Sequence, residues 1–188
     1  HDENLNRLLG KPNKFSELNS WEIDGLLIDS KHQIPRFDFL ANTFSDVVFN
    51  VDAKTFEAAE VLVNLINTKR IKNDLCVGSF QQATIKYMRE NIFRDVESAF
   101  SMQEVLSLFF HRITKKSGDF AGTCLQIPLK YFGINLITSN LVNYCKKNNI
   151  KVHVWTINDE AVMARLVELG INGIMTDKCR SLLKVLQK

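Results

Sequence analysis

Six short apolar runs, each followed by a longer amphipathic stretch, constrain this chain more than any other feature. Residues 47–53 (VVFNVDA), 74–80 (DLCVGSF), 98–101, 123–129 (TCLQIPL), 151–157 and 171–176 read as buried strands. The stretches between and after them, 55–67, 82–90, 102–114, 139–148, 159–169 and 179–186, read as helices. In the first of these, Phe56, Ala59, Leu62, Val63 and Ile66 recur at helical spacing. Strict alternation with no hairpin between units implies a parallel sheet with crossover helices. An open, doubly wound sheet that binds nucleotides would need a glycine-rich loop after a strand, and none follows. Polar or reactive residues instead gather at the carboxyl ends of the strands: Asp52, Lys54, Ser79, Gln126, Trp155, Asn158 and Asp177. A (β/α) barrel places its active site on that rim. The expectation is therefore an α/β barrel of which six units are present and the first two lie upstream.

The 188 residues, 45% of them hydrophobic, can bury a substantial core and are read as a single domain spanning 1–188. The first 45 residues differ from the rest, a loop-rich lead-in punctuated by Gly10, Pro12, Gly25 and Pro35. A net charge of +3, with the basic residues scattered among acids, argues against a nucleic-acid groove. Cys76, Cys124, Cys145 and Cys179 show no CxxC spacing, and are expected to be free thiols rather than metal ligands or a disulfide framework. No apolar run approaches the ~20 residues of a membrane span, and the expected compartment is the cytoplasm. A six-strand row standing alone would leave two sheet edges and apolar surface bare, so self-association into a homo-oligomer is expected of it.

Ordered motifs run the length of the chain. His1-Asp2 is followed by Leu5 and Arg7, then by 16–23 (SELNSWEI) with Leu26, and by 34–40 (IPRFDFL). Further on come 50–54 (NVDAK), Ser79-Phe80, 154–159 (VWTIND) and 170–177 (GINGIMTD). In this order the set resembles the glycerophosphodiester phosphodiesterase family over nearly the whole chain. The resemblance implies a TIM barrel that uses one divalent cation, Mg²⁺ or Ca²⁺, to hydrolyse glycerophosphodiesters to glycerol 3-phosphate and an alcohol. By resemblance, the family's His-Arg-Gly, Glu-Asn-Thr and Glu-x-Asp elements belong to its first two strands, which are expected upstream of this sequence.

Phosphodiester hydrolysis needs a neutralised phosphate, a proton for the leaving alkoxide and an in-line nucleophile. Two histidines can move the protons near neutral pH, and a carboxylate-bound cation can polarise the phosphoryl oxygens. By resemblance, His1 is the general acid or base; a chain-terminal accident is the alternative. Asp52 falls where the family has a metal-binding glutamate, one methylene longer, so it is either a ligand or the mark of a weakened site. Lys54 lies two residues on and so on the same side of the strand, where its ammonium would hold phosphate, unless it merely starts the next helix in solvent. Trp155 shares a face with His153 and Ile157; by resemblance it lines the pocket beside the glycerol, against the alternative of a core tryptophan. Phe80 and Gln126 are further candidates for substrate contact. His153 reads as a satisfied interior histidine, His32 and His111 as surface residues, and Asn158-Asp159 as a cap for the following helix. A relative that has lost catalysis and only binds a phosphodiester or a protein partner is the competing reading, fed by Asp52 in place of glutamate and by the two strand units expected upstream.

Overall fold

A computed structural model describes residues 4–114 and 120–187, in two compact units, 1–47 and 48–188. In the first unit the described residues form α1 (Asn6–Leu9), a 3₁₀ turn (Phe15–Glu17), α2 (Ser20–Asp24), β1 (Leu27–Ile28), β2 (His32–Gln33) and α3 (Phe37–Thr43). The sequence suggested loops here. Local polar chemistry organises them instead: Asn19 and Glu22 form a capping box at α2, and Arg36 grips both carboxylate oxygens of Asp24 at 3.2 and 2.6 Å. Asp29 and Ser30 both take positive φ, which closes β1 and β2 into a tight hairpin.

The second unit contains the expected alternation. It runs β3 (Phe49–Asp52), α4 (Phe56–Asn67), β4 (Leu75–Gly78), α5 (Gln82–Asn91), β5 (Glu97–Ser98) and α6 (Met102–Thr114). It continues with β6 (Cys124–Pro128), β7 (Lys130–Tyr131), β8 (Ile134–Asn135), α7 (Ser139–Lys147), β9 (Lys151–Trp155), α8 (Glu160–Glu168), β10 (Gly173–Ile174) and α9 (Cys179–Leu186). Side-chain caps from Thr55, Thr138 and Asp159 start α4, α7 and α8 immediately after strand ends or loops, satisfying backbone N–H groups that have no helical partner.

Two parallel three-stranded sheets, β3-β4-β5 and β6-β9-β10, meet through one bridge, Ala99 to Cys124. The six strands thus lie side by side in chain order. The row is curled. Strands β3 and β6 are three spacings apart, about 14 Å in a flat sheet, yet Gln126 on β6 donates to Asn50 Oδ1 on β3 at 2.9 Å.

The two faces of the row differ because side chains alternate along a strand. Leu125, Ile127, Val152 and Val154 enter a core with Leu108, Leu141, Met163 and Leu166 from the helices. The opposite face carries Asn50, Asp52, Cys76, Glu97, Cys124, Gln126, Lys151 and His153, in register across neighbouring strands. A row that is apolar toward its helices and polar on its other side is what the curl encloses.

Between β6 and α7 the structure departs from the strict alternation, for β7 and β8 form an antiparallel hairpin. Phe132 (φ +46°) and Gly133 (φ +80°) make its two-residue turn, which holds the Phe132 side chain out in solvent. No helix among the described residues is long and apolar enough to cross a membrane.

Candidate active site

Asp52 is the last residue of β3, and Lys54 follows just before the Thr55 cap. The strand alternation puts both on one side, and the Lys54 ammonium pairs with the Asp52 carboxylate. The same ammonium lies 5.3 Å from the centre of the Phe80 ring. Phe80, two residues beyond β4, meets the half-buried Trp155 ring edge-on at 6.5 Å and 86°. Trp155 ends β9, opposite Pro128 at the end of β6, and the Trp155–Thr156 peptide is cis. Four of the expected residues therefore converge on the carboxyl ends of β3, β4 and β9. They combine an acid, a cation and two aromatic faces, which suits a ligand with an anionic group and a small polyol.

Gln126 lies deeper than the sequence suggested, in mid-strand rather than at a strand end. Its amide donates to Asn50 and approaches Cys76 Sγ at 3.4 Å and His153 Nδ1 at 3.5 Å. It forms the floor under the rim. His153 is half-buried as expected, and burial lowers its pKa, favouring the neutral ring. Gly173 makes room for it: a Cβ there would fall 2.7 Å from His153 Cδ2. Ile157 does not share the face of His153 and Trp155. Strand β9 ends at Trp155, the alternation stops with it, and Ile157 turns into the helix-side core.

Other expectations change in detail. Asp159 caps α8, but Asn158 does not. Its amide donates to Asp177 and its carbonyl accepts from Thr176 Oγ1 and the Asp177 N–H, tying the loops after β9 and β10 together. The Ser79 hydroxyl is buried and donates to the Ala53 carbonyl, which fastens the end of β3 to that of β4. His32 is exposed on a short strand, whereas His111 is half-buried on α6 and packs against Phe120. His1 lies outside the described residues.

Sequence reasoning missed a second cluster below the floor. Cys76, Glu97 and Cys124 bring one ligand-type atom each to within 4.8 Å of one another. The Cys124 thiol donates to Glu97 Oε2 at 3.3 Å, and Lys151 pairs with Oε1. Burial opposes the charge on Glu97, but the Lys151 ammonium and the Cys124 thiol outweigh it and hold the carboxyl below its ordinary value. Cys76 and Cys124 titrate as a pair, their mutual hydrogen bond pushing Cys76 up and Cys124 down. Residues 48 positions apart carry no spacing signal; only the register of three parallel strands unites them. Cys145, buried on α7, is pushed up to about 12 by burial and is an inert core thiol.

Comparison with known proteins bears on the family and the fold. The family model described as "Glycerophosphoryl diester phosphodiesterase family" matches residues 1–181. The Mycobacterium tuberculosis protein named "Probable glycerophosphodiester phosphodiesterase 2" is 25% identical over 192 residues, covering 99% of this chain and 72% of its own. A glycerophosphodiester phosphodiesterase of Caldanaerobacter subterraneus is 37% identical over 57 residues, covering 30% of this chain and 23% of its own. Among solved structures, an Oleispira antarctica phosphodiesterase in complex with the product sn-glycerol-3-phosphate superposes with a TM-score of 0.78 at 16% identity, covering all of this chain and 78% of that one. A Thermotoga maritima glycerophosphodiester phosphodiesterase gives 0.67 at 23% identity, with coverage of 100% and 77%. These two likenesses establish the shared fold. The chain belongs to the glycerophosphoryl diester phosphodiesterase family and, with it, to the phosphoric diester hydrolases.

Proposed function

We propose that the rim hydrolyses glycerophosphodiesters to glycerol 3-phosphate and an alcohol with one Mg²⁺ or Ca²⁺, in an eight-unit TIM barrel to which this chain contributes six units. The observation that carries this reading is the convergence of Asp52, Lys54, Phe80 and Trp155 on the strand carboxyl ends. Asp52 is a hard oxygen ligand open to solvent, and so fits as one donor to such a cation without supplying a full set. The cation would polarise the phosphoryl oxygens.

The chain's own residues do the rest. Lys54 takes a phosphate oxygen as a point charge. Trp155 and Phe80 form the wall beside the glycerol, and excluding water there strengthens the Lys54 contact. Gln126 orients Asn50 beneath the ligand. His1 exchanges the proton that the departing alkoxide needs.

Hydrolysis of glycerophosphocholine by the full-length protein tests the reading. Turnover should cease with chelator and return with Mg²⁺ or Ca²⁺. A second reading, a relative that binds without catalysing, draws on the Lys54–Asp52 pair, which places an ammonium against the ligand carboxylate. Binding of glycerol 3-phosphate with no turnover under either cation would favour it.

A further inference from the structure

We propose that Cys76, Cys124 and Glu97 form a second metal site, selective for a thiophilic cation of the zinc class and separate from the rim. The three donors sit on β4, β6 and β5, in the polar face of the curled row. Cys76 is 3% exposed and Cys124 fully buried, so water does not compete there as it does at Asp52.

The geometry favours an ion over a disulfide. Strand β5 lies between the two cysteine strands, which separates their backbones by about 9–10 Å along the sheet. A disulfide needs Cα atoms within about 7 Å. Two thiolates on one tetrahedral zinc stand roughly 3.8 Å apart, from Zn–S bonds of about 2.3 Å, and the Sγ atoms already lie within 4.8 Å.

Charge agrees as well. Without metal, the carboxylate of Glu97 is balanced by Lys151 and accepts from the Cys124 thiol. A divalent cation would displace both thiol protons to solvent, and Glu97 Oε2, now accepting from Cys124, would turn to the ion. Two thiolates, one carboxylate, one ammonium and one divalent cation sum to zero. Soft sulfur donors select zinc, cadmium or copper(I), whereas Mg²⁺ and Ca²⁺ take oxygen. The two sites would therefore load independently. Three protein donors leave one tetrahedral position without a protein ligand.

The test uses full-length, reduced, chelator-stripped protein. It is loaded with Zn²⁺ or Cd²⁺ and dialysed against excess Mg²⁺, and retained ion is counted by elemental analysis. One ion per chain is expected, with a thiolate-to-cadmium absorption band. Cys76→Ser and Cys124→Ser should each abolish retention, and Cys145→Ser and Cys179→Ser should keep it. Should the serine variants fail to fold, Glu97→Gln, which preserves shape, should weaken binding at least 10-fold. In the native protein, zinc should also shield Cys76 and Cys124, mapped by mass spectrometry, from alkylation under mild denaturant. No retained ion, or retention unchanged in the Cys76→Ser and Cys124→Ser proteins, would overturn the assignment.

Discussion

The Lys54 ammonium folds back along its own strand end to the Asp52 carboxylate, while its other side faces the Phe80 ring. One cation thus sits between the carboxylate proposed to hold metal and the surface proposed to receive phosphate. Replacing it should split the two functions. In Lys54→Gln, divalent cation binding should tighten, because Asp52 is released. KM for glycerophosphocholine should rise about 10–100-fold, the loss of one charge-assisted hydrogen bond of roughly 1.5–3 kcal/mol. Calorimetric cation titration alongside steady-state kinetics checks this, and equal movement of both constants would count against it.

Removal of the Asp52 charge should act on the metal itself. Asp52→Asn is expected to reduce cation affinity and turnover by ~100-fold or more, beyond the 10–100-fold seen when only a supporting residue is lost. Asp52→Glu restores the longer side chain of the family's motif and should retain activity. Activity against Mg²⁺ concentration for the three proteins separates the cases.

Strands β5 and β6, joined by a single bridge, are held together by a polar clamp. Arg89 donates to Ser98 Oγ and the Ala99 carbonyl and forks onto Glu104, which also accepts from the Ser101 and Gly122 N–H groups. Both side chains are largely buried, 17% and 15% exposed. Glu104→Gln should cost about 3 kcal/mol by leaving Arg89 uncompensated. Burial opposes the Glu104 charge, but Arg89 outweighs it and lowers the pKa beneath 4.5. The stabilisation is therefore complete above pH 4.5 and lost as pH falls through the folded-state value. Urea denaturation of both proteins from pH 7 to 3 should show their difference shrinking only at the acid end.

His153 is also shifted down, but by burial rather than by a charged partner. Burial lowers its pKa from 6.5, so below that pH the unfolded chain binds a proton that the folded chain refuses. Stability should fall as pH drops from 6.5 toward the folded-state value and level off below it. His153→Gln should flatten this segment of the stability curve, measured by urea midpoint between pH 7.5 and 5.

The six strands and their helices were legible because each carries a period that a sequence displays on its own, as with Ala59, Leu62, Val63 and Ile66 on α4. The Asp52–Lys54 side of β3 followed from the same alternation. Trp155, Phe80 and the family itself came from motif resemblance. Four features were hidden. The β7–β8 hairpin has two-residue strands too short to show alternation, and its turn signal was Phe132-Gly133 alone. Ile157 lies past the point where alternation ends. The Cys76–Glu97–Cys124 and Arg89–Glu104 groups depend on which strands become neighbours and in what register, information that no local pattern holds.

The joint at Ala99–Cys124 also bears on how the molecule comes apart. The backbone ladder on either side is several bonds deep, whereas the joint has two backbone bonds, Thr123 N–H to the Ser98 carbonyl and Phe100 N–H to the Cys124 carbonyl, and otherwise depends on side chains. Amide protons of β3-β4 and of β6-β9 should exchange with solvent as two separate cooperative blocks, with Phe100 and Thr123 released before either. Reversible breathing at this joint would bring the buried thiols of Cys76 and Cys124 within reach of solvent, and of ions dissolved in it, without unfolding either half.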